Sequence, residues 1–360
     1  MENEKRQPGP TNEAERRAWT IRAMLSWCEG YLAKHHDPDP RASAQWLVGH
    51  ATGLQKIELY LDLDRVLNSA ELDFMRDAVR RRAKGEPLQY LTGSAPFRFI
   101  TVEVEPGVLI PRPETEVLVS SLLDMLPKAP RRVATDSHPV DEIEEILANQ
   151  AHAQSIAPSD NEDEDLTDAA SVTGDDVGRS SSGNQMLQIL EVGTGTGCIA
   201  CALATERSDV EVTATDISPL AVDLARKNVR RLNVGDRVSV LECDLGAAIA
   251  PEAMGTFDAL ISNPPYIPTQ VYQGLDIEVH DYEPRLALDG GADGLDFYRR
   301  LLPFAKDALK PAGAFCCELH EDCLSHAATL AEDAGFSDIA IIDDMAGRPR
   351  VLTARNAGSE

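Results

Sequence analysis

A glycine-rich turn between a strand-like run and a helical run places the strongest constraint on the fold of this chain. Residues 187–192 are largely apolar, as in a buried strand, and residues 198–205 have a helical pattern. The linking turn consists of Gly193, Thr194, Gly195, Thr196 and Gly197. Glycines allow a ligand to approach the backbone closely, and a helix N-terminus directs free N–H groups to the same place. We therefore predict a ligand-binding strand–turn–helix unit that includes all five turn residues.

The rest of the C-terminal half alternates between predicted strands and helices. Such alternation indicates a mostly parallel sheet that is covered on both faces, and therefore an α/β fold. The last two predicted strands lie close together in sequence and can form an antiparallel hairpin at the sheet edge. That hairpin is typical of class I methyltransferases, which have a Rossmann-like, seven-stranded sheet, rather than of dehydrogenases. The strands predicted after the glycine turn are 210–215, 238–242, 257–262, 313–318, 339–343 and 350–354.

Acidic and apolar residues after the next strands predict a site for an adenosyl ligand. Asp216 ends the second strand, where a carboxylate can accept hydrogen bonds from both ribose hydroxyls. A dinucleotide site would have its third glycine at the position of Cys198. After the third strand, Asp244 can accept from an adenine amino group while Leu245 lies against the ring. For these last two residues, an ordinary loop at the end of a strand remains the alternative.

The segment Asn263, Pro264, Pro265 and Tyr266 follows the fourth strand and predicts the site of group transfer. The carboxyl ends of parallel strands share one crevice, so this loop faces the glycine turn and Asn263 can also contact the cofactor. An amide nitrogen is a poor nucleophile, and the Asn263 side-chain oxygen and the Pro264 carbonyl can hold its NH2 group. Tyr266 can pack flat on that planar group, and Pro265 adds stiffness without a competing donor. We predict Asn263, Pro264 and Tyr266 as catalytic and all four residues as substrate-binding.

The N-terminal part of the chain divides by pattern into three regions. Residues 1–14 are polar and are predicted to be disordered. Residues 15–92 have apolar positions at helical spacing, which predicts a small helical domain, with residues 85–90 as a turn or loop. Residues 93–127 are predicted to hold a β-hairpin or linker, with strand character from 97 to 104, followed by the first helix of the catalytic domain, which spans 187–360.

Residues 128–186 differ from the rest in their acidic, Ser- and Gly-rich composition with few aromatic residues. Such a segment cannot bury enough apolar surface to offset its chain entropy, which predicts a disordered insertion. The whole chain has a formal net charge of −26, which opposes binding to phosphate backbones.

Cysteine usage and the N-terminus bear on metal binding and location. The seven cysteines are dispersed and odd in number, which argues against a disulfide framework. Cys198 and Cys201 lack a second pair of ligands, so no metal site is predicted. The polar N-terminus resembles no signal peptide, and no apolar run reaches the ~18 residues of a membrane span, which predicts a cytoplasmic protein.

Four segments together resemble the HemK/PrmC family of release factor glutamine methyltransferases. They are GEPLQY at 85–90, LIPRPETE at 109–116, the glycine turn at 193–197 and NPPYI at 263–267. The resemblance runs from the helical domain to near the C-terminus. The family often has Asp at the position of Glu191 and an aromatic residue at the position of Leu245, so the adenine wall differs here.

The resemblance implies a cofactor, a substrate and a role for the helical domain. The cofactor is S-adenosylmethionine, and the substrate is the glutamine in the GGQ tripeptide of bacterial class-1 peptide chain release factors. The product is N5-methylglutamine. The helical domain helps to hold the release factor, and the enzyme is expected to act as a monomer without direct contact with nucleic acid.

Two alternative functions follow from the same residues. A loop like that at 263–266 also occurs in enzymes that methylate adenine or guanine amines of DNA or RNA. Those enzymes need basic surface to hold the backbone, and the nearest basic run here is 76–84. A non-catalytic binding protein that kept the fold is the second alternative, and the intact loop argues against it.

Overall fold

The computed structural model describes residues 19–128 and 186–358. The predictions of a disordered N-terminus (1–14) and of a disordered insertion (128–186) fall almost entirely outside these ranges. No helix within them is long and apolar enough to cross a membrane.

Residues 21–92 form a small helical domain, as predicted. Side chains that hydrogen-bond to backbone N–H groups begin the longer helices: Thr20 precedes α1, Asp39 precedes α2, and Asn68 precedes α4 in a capping box with Glu71. The apolar faces of the helices meet in one buried core that includes Ile21. The helices are α1 (Ile21–Lys34), α2 (Pro40–Thr52), α3 (Lys56–Leu61), α4 (Ser69–Arg82) and α5 (Leu88–Thr92).

Helix α5 corrects one prediction. Residues 85–90 were expected to form a turn or loop, but only the first part does so, because Leu88, Gln89 and Tyr90 lie in α5. Pro87 precedes the first turn of this helix, where its missing N–H group costs nothing. The helix is stabilised by burial of Leu91 in the core of the helical domain and of Tyr90 in the neighbouring core. The segment 85–90 is only six residues long, which is too short for the spacing of its apolar residues to reveal this burial.

A short antiparallel hairpin follows, with strands β1 (Ser94–Phe97) and β2 (Ile100–Glu103). The predicted strand from 97 to 104 is interrupted, because the chain turns at Arg98, whose φ is 51°, and only Ile100–Glu103 of that stretch forms β2. This conformation is held by partners distant in sequence: the Arg98 N–H donates to Glu116 and its guanidinium pairs with Glu206. Helix α6 (Pro113–Met125) then begins with a proline and two acidic residues, which favour the first turn of a helix.

The remaining chain builds a seven-stranded sheet in the order β5-β4-β3-β6-β7-β9-β8. All neighbouring pairs are parallel except those made by β9, which is antiparallel to both β7 and β8. The predicted antiparallel pairing of the last two strands is confirmed, although β9 lies inside the sheet and only β8 is at the edge. The strands are β3 (Leu187–Val192), β4 (Val210–Asp216), β5 (Val238–Glu242), β6 (Phe257–Ser262), β7 (Leu309–Glu318), β8 (Phe336–Asp343) and β9 (Pro349–Asn356).

Helices cover both faces of the sheet, and alternate residues of the central strands supply the two cores. Ile189 of β3 faces a core shared with α6 and two further helices, whereas Leu190 faces the core on the other side. This arrangement is the Rossmann-like, seven-stranded fold expected from the alternating pattern. The covering helices are α7 (Cys198–Glu206) and α8 (Pro219–Arg231) with α6 on one face, and α11 (Asp296–Ala308) and α12 (Leu324–Asp333) on the other.

Between β6 and α11 the chain makes two short helices, α9 (Thr269–Tyr272) and α10 (Ile277–His280). Ion pairing connects this segment to the helical domain, because Arg82 of α4 pairs with Glu278 at 2.9 Å. At the amino-terminal ends of the strands, the Arg207 guanidinium donates to the Pro127 carbonyl at 2.7 Å. The Leu187 N–H donates to the Asp209 carbonyl at 2.9 Å, which fixes the start of β3.

Cys198 and Cys201 are buried within the core around α7. Burial raises the pKa of the Cys198 thiol to about 12. Among the residues that the structure describes, no group of three or more His, Cys, Asp or Glu side chains is placed to hold a metal ion.

Candidate active site

One cavity lies at the carboxyl ends of β3 to β6, where the sequence places the glycine turn, the strand-end Asp and the proline-rich loop. The structure brings most of the predicted residues together around it. Segments that were not predicted complete the wall, and they come from residues 107–109, 217–221, 284–287 and the start of α11. The predicted residues that line the cavity are Gly193, Gly195, Asp216, Asp244, Leu245, Asn263, Pro264 and Pro265.

The three glycines of the turn serve different purposes. All have positive φ values of 56–78°, a conformation that glycine adopts without strain. Gly193 and Gly195 present bare backbone to the cavity. At Gly197 a side chain would lie 3.1 Å from the Ala225 Cβ atom, so this glycine permits close packing of the turn against α8.

The two threonines of the turn point away from the cavity into the protein and are buried. The Thr194 hydroxyl donates to the Glu191 carboxylate at 2.9 Å, and the Ala200 N–H donates to the same oxygen. Burial raises the pKa of Glu191 to about 8, against the opposing effect of these two donors. Glu191 thus ties the turn to the first residues of α7. Cofactor contacts by the side chains of Thr194 and Thr196 stay a prediction.

Asp216 lies at the end of β4 with its carboxylate in the cavity wall. One oxygen accepts from the Gly195 N–H and the other from the Ser218 N–H, both at 2.9 Å. Burial raises the pKa of this carboxyl, and the N–H groups act in the opposite direction. Because a carboxylate oxygen can accept more than one hydrogen bond, both oxygens keep capacity for a ligand hydroxyl.

The part of the cavity wall that follows β5 differs in detail from the prediction. Asp244 accepts a 2.5 Å hydrogen bond from Arg300, so the carboxylate is paired with a cation from α11. The Arg300 guanidinium lies 5.9 Å from the centre of the Phe297 ring, and both side chains line the cavity with Leu245. Sequence reasoning missed Phe297 and Arg300, because one turn of an amphipathic helix carries no signal that separates a ligand-facing residue from a packing residue.

Residues 107–109 form another wall of the cavity. The segments 85–90 and 109–116 hold this wall in place. The buried Tyr90 hydroxyl donates to the Val108 carbonyl at 2.7 Å. Arg112 pairs with Glu283 at 2.5 Å, and burial raises the pKa of Glu283 to about 7 despite this pairing. The segments 85–90 and 109–116 therefore shape the cavity in addition to joining the domains.

We call residues 263–266 the transfer loop. Asn263 lines the cavity, and its Nδ2 atom donates to the Thr115 hydroxyl of α6 at 3.0 Å. Tyr266 is not among the lining side chains: its hydroxyl donates to Glu318 of β7 at 2.9 Å. Packing of the Tyr266 ring on a substrate amide stays a prediction.

A glycine-rich segment packs against the back of the transfer loop. The Ile267 N–H donates to the Leu288 carbonyl, and the Gly290 N–H donates back to the Ile267 carbonyl. A side chain at Gly290 would lie 2.7 Å from the Tyr266 Cα atom, and one at Gly294 would clash with the Tyr266 carbonyl oxygen. Residues 288–294 therefore fix the loop backbone by close contact that only glycine permits.

Comparisons with known proteins agree with this arrangement. The PrmC N-terminal domain family matches residues 23–93, and the methyltransferase small domain family matches residues 181–276. A release factor glutamine methyltransferase of Geobacter sulfurreducens is 36% identical over 337 residues, which cover 94% of this chain and 97% of that protein. Proteins of the same name from Rhodopirellula baltica and Chlorobaculum tepidum are each 34% identical, with 94% and 92% of this chain covered and 97% and 95% of theirs. With this identity over nearly the whole chain, the protein belongs to the family of release factor glutamine methyltransferases.

Proposed function

We propose that this protein transfers a methyl group from S-adenosylmethionine to the side-chain nitrogen (N5) of the glutamine in the GGQ motif of class-1 release factors. The observation that carries the proposal is the position of the transfer loop. Asn263, Pro264 and Pro265 line the same cavity as the glycine turn and Asp216. A planar amide held at the loop therefore meets a ligand held at the turn. The names of the full-length relatives support a release factor as the substrate.

The cavity has the chemistry that S-adenosylmethionine requires. Bare backbone at Gly193 and Gly195 leaves room for close approach of the ligand. Asp216 can accept from the ribose hydroxyls, and the apolar side chains of Leu245 and Phe297 can enclose the adenine ring. When bound, the cofactor supplies an electrophilic methyl group on a sulfonium, whose departure needs no acid from the protein.

The transfer loop activates the substrate mainly by orientation. The Asn263 Oδ1 atom and the Pro264 carbonyl accept the two N–H groups of the glutamine amide, which directs one face of the nitrogen towards the methyl donor. Such positioning of two reactants, with polar groups already in place, can supply a large part of a rate enhancement. A strong base is not needed, because the nitrogen loses its proton readily once it has been alkylated.

The basic run at 76–84 argues against the alternative of a nucleic-acid substrate. Arg76 pairs with Asp73, and Arg81 pairs with both Asp77 and Glu86. Arg82 is buried between acidic partners at 2.6 and 2.9 Å. Arginines that are already paired with carboxylates contribute less to neutralising phosphates, so these three residues weaken the case for a phosphate-binding surface at this run.

Methyl transfer to purified substrates tests the proposed function directly. We expect labelled S-adenosylmethionine to modify a class-1 release factor, and mass spectrometry to find one added methyl group on the GGQ glutamine. A release factor with GGA in place of GGQ should take up no label, because alanine has no amide nitrogen. Label on total DNA or ribosomal RNA, or on the GGA protein, would contradict the proposal.

Asp216 provides a test of the cofactor site. Asp216→Asn should raise the Kd for S-adenosylmethionine about 10- to 100-fold, as expected for loss of a hydrogen bond to a charged group. The variant should recover much of its kcat at saturating cofactor, since the transfer loop is untouched. Calorimetric titration gives the Kd. Glu211→Gln is the matched control, because Glu211 is an exposed carboxylate on the same strand; equal Kd values in both variants would remove Asp216 from the site.

This proposal has three further parts. The domain boundaries are those predicted from the sequence, and residues 15–92 recognise the release factor. The protein acts as a monomer in the cytoplasm. Support for the recognition role comes from apolar side chains on the helical domain that are exposed to solvent. Ile57 and Leu61 of α3 are 69% and 81% exposed. Exposed apolar side chains of this kind are available for contact with a protein partner.

A further inference from the structure

Residues 277–288 connect the helical domain to the surroundings of the transfer loop, and we call them the strap. The strap begins with α10, and its residues 284–287 contribute to the cavity wall. At its end, the Leu288 carbonyl accepts from the N–H group of Ile267, the residue directly after the transfer loop, at 2.9 Å. The position of the strap therefore bears on the space in which a substrate amide is held.

The first contact between the helical domain and the strap is made by Arg82. Its side chain is only 4% exposed and lies between two carboxylates. The Nε atom donates to Asp37 of the helical domain at 2.6 Å, and the Nη1 atom donates to Glu278 of the strap at 2.9 Å. A guanidinium has its donors in a rigid planar fork. The bond to Asp37 therefore also sets the direction in which Arg82 meets Glu278.

Two further contacts hold the strap against the same part of the helical domain. Gly85 has a φ of 92°, and a side chain there would lie 2.9 Å from the Ile277 Cγ2 atom. The Tyr282 hydroxyl donates to the Lys84 carbonyl at 3.2 Å. The strap thus packs directly on the backbone of Gly85, which accounts for a glycine at the first position of the segment 85–90.

The middle of the strap links α10 to the cavity wall. The Glu283 N–H donates to the Val279 carbonyl of α10 at 3.1 Å, so the position of Glu283 follows that of the helix. Its side chain is 1% exposed and pairs with Arg112. Pro284 comes next, and because a proline has a nearly fixed φ it offers little backbone freedom to absorb a shift. A displacement of α10 is therefore passed on to residues 284–287.

We propose that Arg82 and Glu278 are positioning residues for methyl transfer, whose pairing holds the strap where residues 284–287 complete the cavity wall beside the transfer loop. This inference rests on the proposed function, in which the glutamine amide must meet the methyl donor in one orientation. A strap that can shift gives the amide a wider range of positions, and the rate of transfer depends strongly on that range. The helical domain thus contributes to the chemical step in addition to recognition.

Glu278→Ala tests the pairing in the full-length enzyme with a purified release factor. The Glu278 side chain is 33% exposed, and its removal leaves the buried pair of Arg82 and Asp37 in place. We expect kcat at saturating release factor to fall about three- to tenfold, within the ~10²-fold that a misplaced reacting group can cost. The Kd for S-adenosylmethionine should stay unchanged, because the glycine turn and Asp216 lie outside the strap.

Two variants control for this change. Glu278→Gln keeps an oxygen that can accept from the Arg82 guanidinium, so it should restore most of the kcat. Asp281→Ala is the matched control, because it removes an exposed carboxylate of the same strap that pairs with its neighbour His280, and its kcat should equal that of the wild-type enzyme. Steady-state kinetics separate the two roles of the helical domain, since lost recognition raises KM and a misplaced wall lowers kcat.

Gly85→Ala gives a second arm that does not depend on the ion pair. The added Cβ atom would press on Ile277 and displace the strap, so we expect a similar loss of kcat. The double variant Gly85→Ala/Ile277→Ala removes the close contact and should recover most of the kcat. Gly255→Ala measures the cost of backbone strain alone, because Gly255 has a φ of 75° and a side chain there would meet only the Asp307 carbonyl, at 3.8 Å. This arm decides the question if Glu278→Ala does not fold.

A wild-type kcat in Glu278→Ala would overturn the inference, and so would a loss confined to KM. A loss in Gly85→Ala that persists in full when Ile277 is shortened would also overturn it. Failure of the wild-type enzyme to methylate any release factor is a different result, because it contradicts the proposed function itself.

Discussion

Replacement of Asn263 by alanine is expected to lower the kcat for release factor methylation by about 10²- to 10³-fold, the cost typical of removing a preorganised polar group from a reaction site. The truncated side chain no longer accepts an N–H group of the substrate amide, so the nitrogen is free to rotate away from the methyl donor. Cofactor affinity should change little, because the backbone of the glycine turn and the Asp216 carboxylate are untouched. Single-turnover methyl transfer and calorimetric titration measure the two quantities separately.

The matched control for this variant is Asn233→Gly. Asn233 is an exposed asparagine with a positive φ of 55°, which glycine adopts without strain, so the change removes an amide without disturbing the backbone. Its kcat should equal that of the wild-type enzyme. Turnover of Asn263→Ala at the wild-type rate would contradict the role that we propose for the transfer loop.

Gly294→Ala is expected to reduce kcat by about 10²-fold, the cost that a displacement of ~1 Å can have at a reaction site. The added Cβ atom would clash with the Tyr266 carbonyl oxygen and would lie 3.2 Å from the Cys323 Sγ atom. The transfer loop must move away from residues 288–294 to relieve this contact. Steady-state kinetics with a release factor measure the loss, and the melting temperature shows how much of the effect is on folding.

Gly347→Ala separates the clash from the strain of the backbone. Gly347 has a φ of 75°, close to the 78° of Gly294, but a side chain there would meet no atom within 4 Å. Both variants therefore place alanine in a left-handed conformation, and only Gly294→Ala pushes on the transfer loop. Equal loss of kcat in the two variants would show that backbone strain, and not displacement of the loop, is the cause.

The parts of the site that could be predicted from the sequence are those governed by local rules. The order of strands and helices places the carboxyl ends of β3, β4 and β6 side by side, because these strands are parallel neighbours. Strand order alone therefore places Gly193, Asp216 and Asn263 at one cavity, without any information about side-chain contacts. The fold class followed from the same alternation, since a parallel sheet with helices on both faces is the compact solution for such a pattern.

The parts that could not be predicted depend on contacts between distant positions. Thr115 and Asn263 are 148 residues apart, and nothing in the motif around Thr115 indicates which side chain it will meet. Phe297 was missed for the same reason. Arg98 shows the effect on local structure, because its left-handed turn is stabilised by Glu116 and Glu206 rather than by its neighbours in sequence. Long-range packing of this kind overrides local strand preference.

The connection between Pro127 and the start of β3 has a consequence for how this family can change in length. The Arg207 guanidinium holds the chain at Pro127, and the Asp209 carbonyl holds it again at Leu187. Both points are at the amino ends of the strands, whereas the cavity is at their carboxyl ends. A lineage can therefore gain or lose many residues between these two fixed points while the geometry of methyl transfer stays the same.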